Sequence, residues 1–352
     1  MTVSQPQVQQ FLARALYDLA AAQSATMVVI GDRLGLYRIM SGAGPLTSKE
    51  LAKRSGTAER YVREWLMNQA AGGYVELRDD GSYILPEAHA AVLAADDPPV
   101  SVIAAYEAML ALTDSLDEVI GAFRSGGGVD RHRYSGDFYR ALGRFSSIIY
   151  RRRLDGWIST AGVESLLRAG IRVVDVGCGT GAAIQLLARR FPASNFVCVD
   201  IHRPSIEQVR REAGGLGNVR FEIGDAGALE GSFDMAICFN MLHDMADPAA
   251  FVRAVGDRIA PQGTWLVSEP RLTDSVREML DPLGRFASAL SLLHCIPVAR
   301  FAGGDGIGSV VGKRLIIDAL RSGGFERIDE IDDPYCLVLH ARRGLPSRTP
   351  SN

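Results

Sequence analysis

The chain has 352 residues, a formal net charge of −3, 47% hydrophobic residues and 22% charged ones. That length exceeds one small core and points to two or three domains, while 37 glycines without a period exclude collagen-like and low-complexity classes. The charge leaves no footprint for nucleic acid or an anionic membrane, no apolar run reaches the roughly 18 residues that span a bilayer, and "MTVSQPQVQQ" lacks a signal-peptide pattern.

Residues 10–41 are alanine-rich and apolar at helical spacing. Thr47 is placed to cap a short helix that Gly56 stops, and Thr57 to cap a second that ends at Gly72-Gly73. "YVELR", "DDGS" and "YILP" form a hairpin by their turn chemistry. Helix, helix, helix, hairpin is a winged helix, expected over residues 1–96. DNA binding is the obvious use of such a domain, yet residues 1–100 hold nine Lys/Arg against eleven Asp/Glu, a net of −2. In the third helix Glu59, Arg60, Arg63 and Glu64 cancel, so the clustered cations of a phosphate-binding face are missing. The apolar residues Trp65, Leu66 and Met67 are expected to be buried against a partner, which makes the chain a homodimer.

A linker, "AADDPPVS", leads to a helical region over residues 97–169, broken by "RSGGGVDRHRYSGD". That loop reads equally as a solvated connection or as the wall of a pocket. From residue 171 strands alternate with helices: "IRVVDVG", "NFVCVD", "VRFEIGD", "FDMAICFN" and "GTWLVSEP" are near-continuously apolar, the texture of a parallel sheet covered on both faces. "FERIDEID" and "CLVLHARR" are joined too closely for a crossover and place an antiparallel hairpin at the end. The expected class is α/β, a Rossmann-like sheet over 170–345 preceded by the α-rich winged helix.

"VVDVGCGTG" lies at the first strand-to-helix turn, where glycine lets the backbone approach a ligand. Gly177, Gly179 and Gly181 make G-x-G-x-G, neither the dinucleotide fingerprint nor a nucleotide triphosphate loop. Asp200 ends the second strand, where a carboxylate can accept both hydroxyls of a ribose, and Asp225 ends the third. The five cysteines (Cys178, Cys198, Cys238, Cys295, Cys336) lack C-x-x-C spacing and read as free thiols of a cytoplasmic protein.

With these motifs the chain resembles the class I S-adenosylmethionine-dependent methyltransferases over about 171–342. As a whole it looks like the bacterial and plant-type small-molecule O-methyltransferases, which place a dimerising winged helix before a seven-stranded catalytic sheet. The resemblance implies S-adenosylmethionine as cofactor, with the methionine part in "DVGCGTG", the ribose at Asp200 and the adenine at Asp225 and Ala226. The full cofactor set it implies is Asp175, Gly177, Cys178, Gly179, Gly181, Asp200, Ile201, Asp225, Ala226 and Asn240.

After the fourth strand, where amino-group methyltransferases often carry [DNS]-P-P-[YF], the chain has "FNMLHDM". The O-methyltransferase likeness makes His243 the general base, with Glu269 of "VSEP" orienting it. A histidine of pKa about 6.5 suits removal of a phenolic proton of pKa about 10. Met245 stands where that group has tryptophan, and its later "ERT" element is replaced by "HCIPVARFAGGDGIG", which brings in His294. His243, Asp244 and His294 are also the ligand types of a facial non-haem iron site, and the region resembles an iron-binding C-methyltransferase of phenylpyruvate. Neighbours on a strand point to opposite faces, so His243 and Asp244 converge only if the strand has already turned. Metal-free base catalysis on a small hydroxyl is the leading expectation; the competitors are S-methylation of a thiol, metal-assisted C-methylation of a keto acid, and a winged-helix regulator sensing S-adenosylmethionine.

Overall fold

The computed structural model describes residues 4–344, apart from 214 and 311. The chain forms two compact units, residues 1–113 with 136–148, and 114–135 with 149–352. The helical region expected over 97–169 is therefore divided between them.

The first unit opens with a long helix, Gln5–Arg33. Helix Ser48–Ser55 begins with a full capping box, Thr47 and Glu50 each bonding the other's backbone, and stops at Gly56 with φ 67°. Helix Glu59–Ala71 departs from expectation: Ala58 holds the N-cap, while the Thr57 hydroxyl turns back to that of Ser55 at 2.7 Å. Strands β1 (Glu76–Leu77) and β2 (Tyr83–Ile84) form the wing. Trp65 and Leu66 are not an outer face. Both are buried in the unit's own core, where the indole N–H donates to the Met27 carbonyl and its ring meets the edge of Tyr37. Of the three residues expected on that face only Met67 is exposed, with Tyr61 on the same helix, and a longer exposed apolar surface lies on the Gln5–Arg33 helix, where Phe11 is 73% and Tyr17 75% exposed, with Leu16 and Leu19 also bare.

The second unit holds β3 (Arg172–Val176), β4 (Asn195–Asp200), β5 (Val219–Ile223), β6 (Phe233–Phe239), β7 (Ile259–Pro270), β8 (Phe325–Ile331) and β9 (Cys336–Arg343). They make one seven-stranded sheet in the order β5-β4-β3-β6-β7-β9-β8, parallel except for β9, which is antiparallel to both neighbours. Period two divides each strand between two cores: Met235, Ile237 and Phe239 of β6 join Trp157 and Phe196 on one face, Ala236 and Cys238 join Trp265 and Phe251 on the other. The order reverses between β3 and β6, so the crevice at their carboxyl ends is where an open sheet of this kind collects ligands.

One stretch, Pro282–Phe301, is by length and composition apolar enough to cross a bilayer. Its two arginines, Arg285 and Arg300, break the uninterrupted run that a reading of the sequence alone looks for.

Candidate functional site

The β3 corner is made of backbone. Gly177, Gly179 and Gly181 all take left-handed φ, at 77°, 54° and 65°, which a side chain would strain. At Gly177 the space a Cβ needs is already filled by Met241. The Gly177 N–H donates to the Val199 carbonyl at 2.8 Å, and the Gly179 N–H to Oδ2 of Asp200 at 2.7 Å. Oδ1 of Asp200 accepts the His202 N–H at 2.7 Å, so the nearly buried carboxylate is fixed in orientation with lone pairs left for a ligand. Asp175 lies buried in β3, its pKa raised well above the ordinary range by burial and then by the charge of Asp200. The Cys178 thiol pairs with Cys198 and is likewise pushed up. Asp225 caps a short turn through the Gly227 N–H at 2.9 Å with Ala226 buried behind it, whereas Ile201 projects outward.

The β6 corner is made of charged side chains. The strand ends at Phe239, one residue short of the "FDMAICFN" read from the sequence, because Asn240 adopts φ 54°. Among the described residues it is the one non-glycine with positive φ. Its N–H donates to the Ser268 carbonyl at 2.6 Å, and its side-chain amide to the Tyr150 hydroxyl at 3.1 Å. The chain then closes a 3-10 turn, Leu242–Asp244. Glu269, fully buried in β7, accepts the N–H groups of Met241 and Leu242 at 3.2 and 2.8 Å on one oxygen and holds His243 Nδ1 on the other. The turn allows the convergence that a strand forbids: His243 Nε2 lies 3.1 Å from Oδ1 of Asp244. Burial alone would lower the His243 pKa, but Asp244 and Glu269 on its two sides raise it well above 6.5. Asp244 is held below its ordinary range by that imidazole despite its burial.

His294 and Cys295 reach this corner from a π-turn, Ser291–Cys295, within the Pro282–Phe301 stretch. Pro297 explains the irregularity: it lacks the N–H that would bond to the Leu293 carbonyl, and its ring crowds that carbonyl. The Tyr134 hydroxyl donates to the same carbonyl at 2.8 Å, and its ring meets His294 edge-on at 4.8 Å. His294 Nδ1 is 3.8 Å from Oδ2 of Asp244, and burial lowers its pKa to about 4. Cys295 completes a group with His243 and Asp244 whose donor atoms all lie within 4.8 Å of one another. Of the loop left undecided by the sequence, the 126–134 part packs against the Pro282–Phe301 stretch: Val129 N–H donates to the Pro297 carbonyl at 3.0 Å, and Arg300 reaches the Gly126 carbonyl at 2.6 Å. Tyr134, Tyr150 and Cys295 were not foreseen as site residues; the tyrosine in the 124–137 loop and the proline two residues after Cys295 were the available signals.

Residues 167–291 match the model of a methyltransferase domain, and residues 22–95 that of an Rv2258c-like winged HTH domain. The chain carries an S-adenosylmethionine-dependent methyltransferase domain behind a winged helix. S-adenosylmethionine is the cofactor of such a domain. Nocamycin O-methyltransferase of Saccharothrix syringae is 29% identical over 200 residues, 53% of this chain and 70% of that one. Trans-aconitate 2-methyltransferase of Deinococcus radiodurans is 28% identical over 183 residues, 49% and 66% of the two chains. In another curated relative the matched stretch falls to 24% of its length. Human N-acetylserotonin methyltransferase, in complex with SAM, superposes with a TM-score of 0.65 at 18% identity, covering 98% of this chain and 100% of that one. Mitomycin 7-O-methyltransferase gives 0.64 at 18%, over 96% and 100%. At such identity the likeness is one of fold, winged helix and catalytic sheet together.

Proposed function

We propose that the chain methylates a hydroxyl of a small molecule with His243 as general base. The observation that carries this reading is the bond between His243 Nδ1 and Glu269, itself anchored by two backbone N–H groups. It keeps a proton on Nδ1, so that in the neutral imidazole Nε2, 3.1 Å from Oδ1 of Asp244, is the atom that accepts one. S-adenosylmethionine, when bound, supplies a methyl group on a sulfonium; Asp200 is the acceptor for its ribose hydroxyls and the left-handed glycines admit its methionine part. As the acceptor oxygen takes the methyl, its proton passes to Nε2, and Asp244 and Glu269 stabilise the imidazolium that forms. General base work of this kind contributes about 10²–10⁴-fold. The O-methyltransferase relative and its matched length support a hydroxyl acceptor.

A metal-assisted reading has its own support, the closeness of the donor atoms of His243, Asp244 and Cys295. Glu269 on the far nitrogen of His243 is what a metal-bound histidine also requires. Turnover after dialysis against EDTA separates the two. Full activity without bound metal is expected; activity lost to the chelator and restored by iron would replace the base by a metal ion.

We also assign a small-molecule acceptor and a homodimer rather than a DNA partner. In the third helix Arg60 pairs with Glu64 and Arg63 with Glu59, leaving those cations engaged. A second copy covering Phe11, Leu16 and Tyr17 accounts for the bare face of the first helix. Phe11→Asp should turn a dimer into a monomer by light scattering; a parent that is monomeric at micromolar concentration overturns the assignment.

A further inference from the structure

We propose that the groove between the third helix and the wing of the winged-helix unit receives the first helix of a second copy of this chain. The inference rests on the homodimer assigned above and names the surface that the partner's first helix occupies.

The groove is built from two elements that the unit's own core leaves half bare. Met67, Ala70 and Ala71 follow at i, i+3 and i+4, so they share one face of the Glu59–Ala71 helix. With Leu77 and Tyr83 of the wing they line an open groove of about 600 Å³. His89, in helix Glu87–Leu93, completes the lining, its Nδ1 donating to the Tyr74 carbonyl at 3.0 Å. Met67 and Leu77 are both more than half exposed. Among the described residues the lining has one carboxylate, Glu76, and no lysine or arginine that could meet a phosphate.

The first helix has the shape and charge to fill it. From residue 4 to residue 23 every position is exposed apart from half-buried Asp18, so the chain's own fold leaves this half of the helix uncovered. A helix turns by about 100° per residue. Val8, Phe11, Leu12, Leu16 and Leu19 then fall within an arc of about 140°, with Tyr17 opposite. That arc is broader than the narrow seam through which two helices pair, and it suits a groove with a wall on either side. Arg14 lies about 60° beyond Phe11, at the edge of the arc. Among the described residues neither Arg14 nor Glu76 has an ion pair within its own chain, so the guanidinium and the carboxylate are available to each other across the contact. Each copy offers both a helix and a groove, so a two-fold axis makes the contact twice.

Sedimentation of the full chain over a range of concentrations reads the dissociation constant of the dimer. Met67→Asp and Leu77→Asp should each raise it about tenfold or more, because a carboxylate then enters an apolar contact. Tyr61→Asp, exposed on the same helix but outside the groove, should leave it unchanged. Arg14→Glu and Glu76→Arg should each raise it about threefold, and the double variant should recover most of that loss. Monomers from Phe11→Asp, with both groove variants still dimeric, would overturn this proposal and leave the dimer standing. A monomeric parent would overturn both. Charge reversal without recovery also sinks the placement of the helix in the groove. So does a parent that is retained on duplex DNA and released by Met67→Asp, since the groove would then hold DNA.

Discussion

Two corners of one sheet, three strands apart in sequence and side by side in the fold, are built from opposite materials. At the end of β3 the work is done by backbone: three left-handed glycines, an open approach, and one carboxylate steadied by two N–H groups. At the end of β6 it is done by buried ionisable side chains, a histidine between two acids with a second histidine and a thiol nearby. A backbone cradle suits a ligand that never changes, whereas a cluster of charges suits a proton that must move. The difference predicts that damage at the two corners separates into lost binding and lost chemistry.

The sharpest break of that division is His243→Ala. Turnover should fall about 10²–10⁴-fold, the usual worth of a positioned base, while calorimetry gives unchanged affinity for S-adenosylhomocysteine. Equal losses in both would mean that the corners are one site energetically. The converse variant, Asp200→Ala, should cost about 1.5–3 kcal/mol of cofactor affinity, the loss of a charged acceptor from a nearly buried position. If the variant binds S-adenosylhomocysteine as tightly as the parent, the cofactor is not held by this carboxylate.

The pH dependence sharpens the comparison further. A base at His243 must be neutral, and burial, which lowers its pKa, is outweighed by Asp244 and Glu269, which raise it above 6.5. The rate should therefore rise with pH through that elevated pKa and level off above it, and Asp244→Asn should move the rise to lower pH by removing one of the two carboxylates. Cofactor affinity should show no such limb. A profile flat from pH 6 to 9 at saturating acceptor would take His243 out of the proton transfer.

The same contrast explains what could be read from the sequence. The glycine corner was legible because its parts are neighbours in the chain, and because left-handed turns leave glycine as their mark. The alternation of strands and helices, the terminal antiparallel hairpin and the N-cap at Thr47 followed for the same local reason. The charged corner was legible only in part. His243 and Glu269 could be paired through the family likeness, but the segment 126–134 and the π-turn Ser291–Cys295 lie outside the motif in the chain and join it only through packing. The reading of Trp65 and Leu66 as an outer face failed on tertiary packing: helical periodicity reports that a face is apolar, not whether the covering is its own domain or a partner. Here Met27 and Tyr37 supply the covering.

The smallest effect expected concerns the hinge between the two corners, Asn240. Its positive φ turns the chain out of β6, lays Met241 against Gly177 and starts the turn that carries His243. Such a conformation costs an asparagine on the order of 1 kcal/mol, and the structure offsets it with bonds to Ser268 and to the Tyr150 hydroxyl. Tyr150→Phe removes that bond and keeps the ring tilted against Phe239 and edge-on to Trp157. It should lower unfolding free energy by about 1 kcal/mol and slow turnover modestly without changing the pH limb. Asn240→Gly relieves the backbone while losing the same bond, so its stability should lie near that of the parent. If Tyr150→Phe leaves stability and rate untouched while Asn240→Gly lowers both, the asparagine side chain serves a bound ligand and not the turn. The two corners would then share a residue, and the division between cradle and charge cluster would have to be redrawn at Asn240.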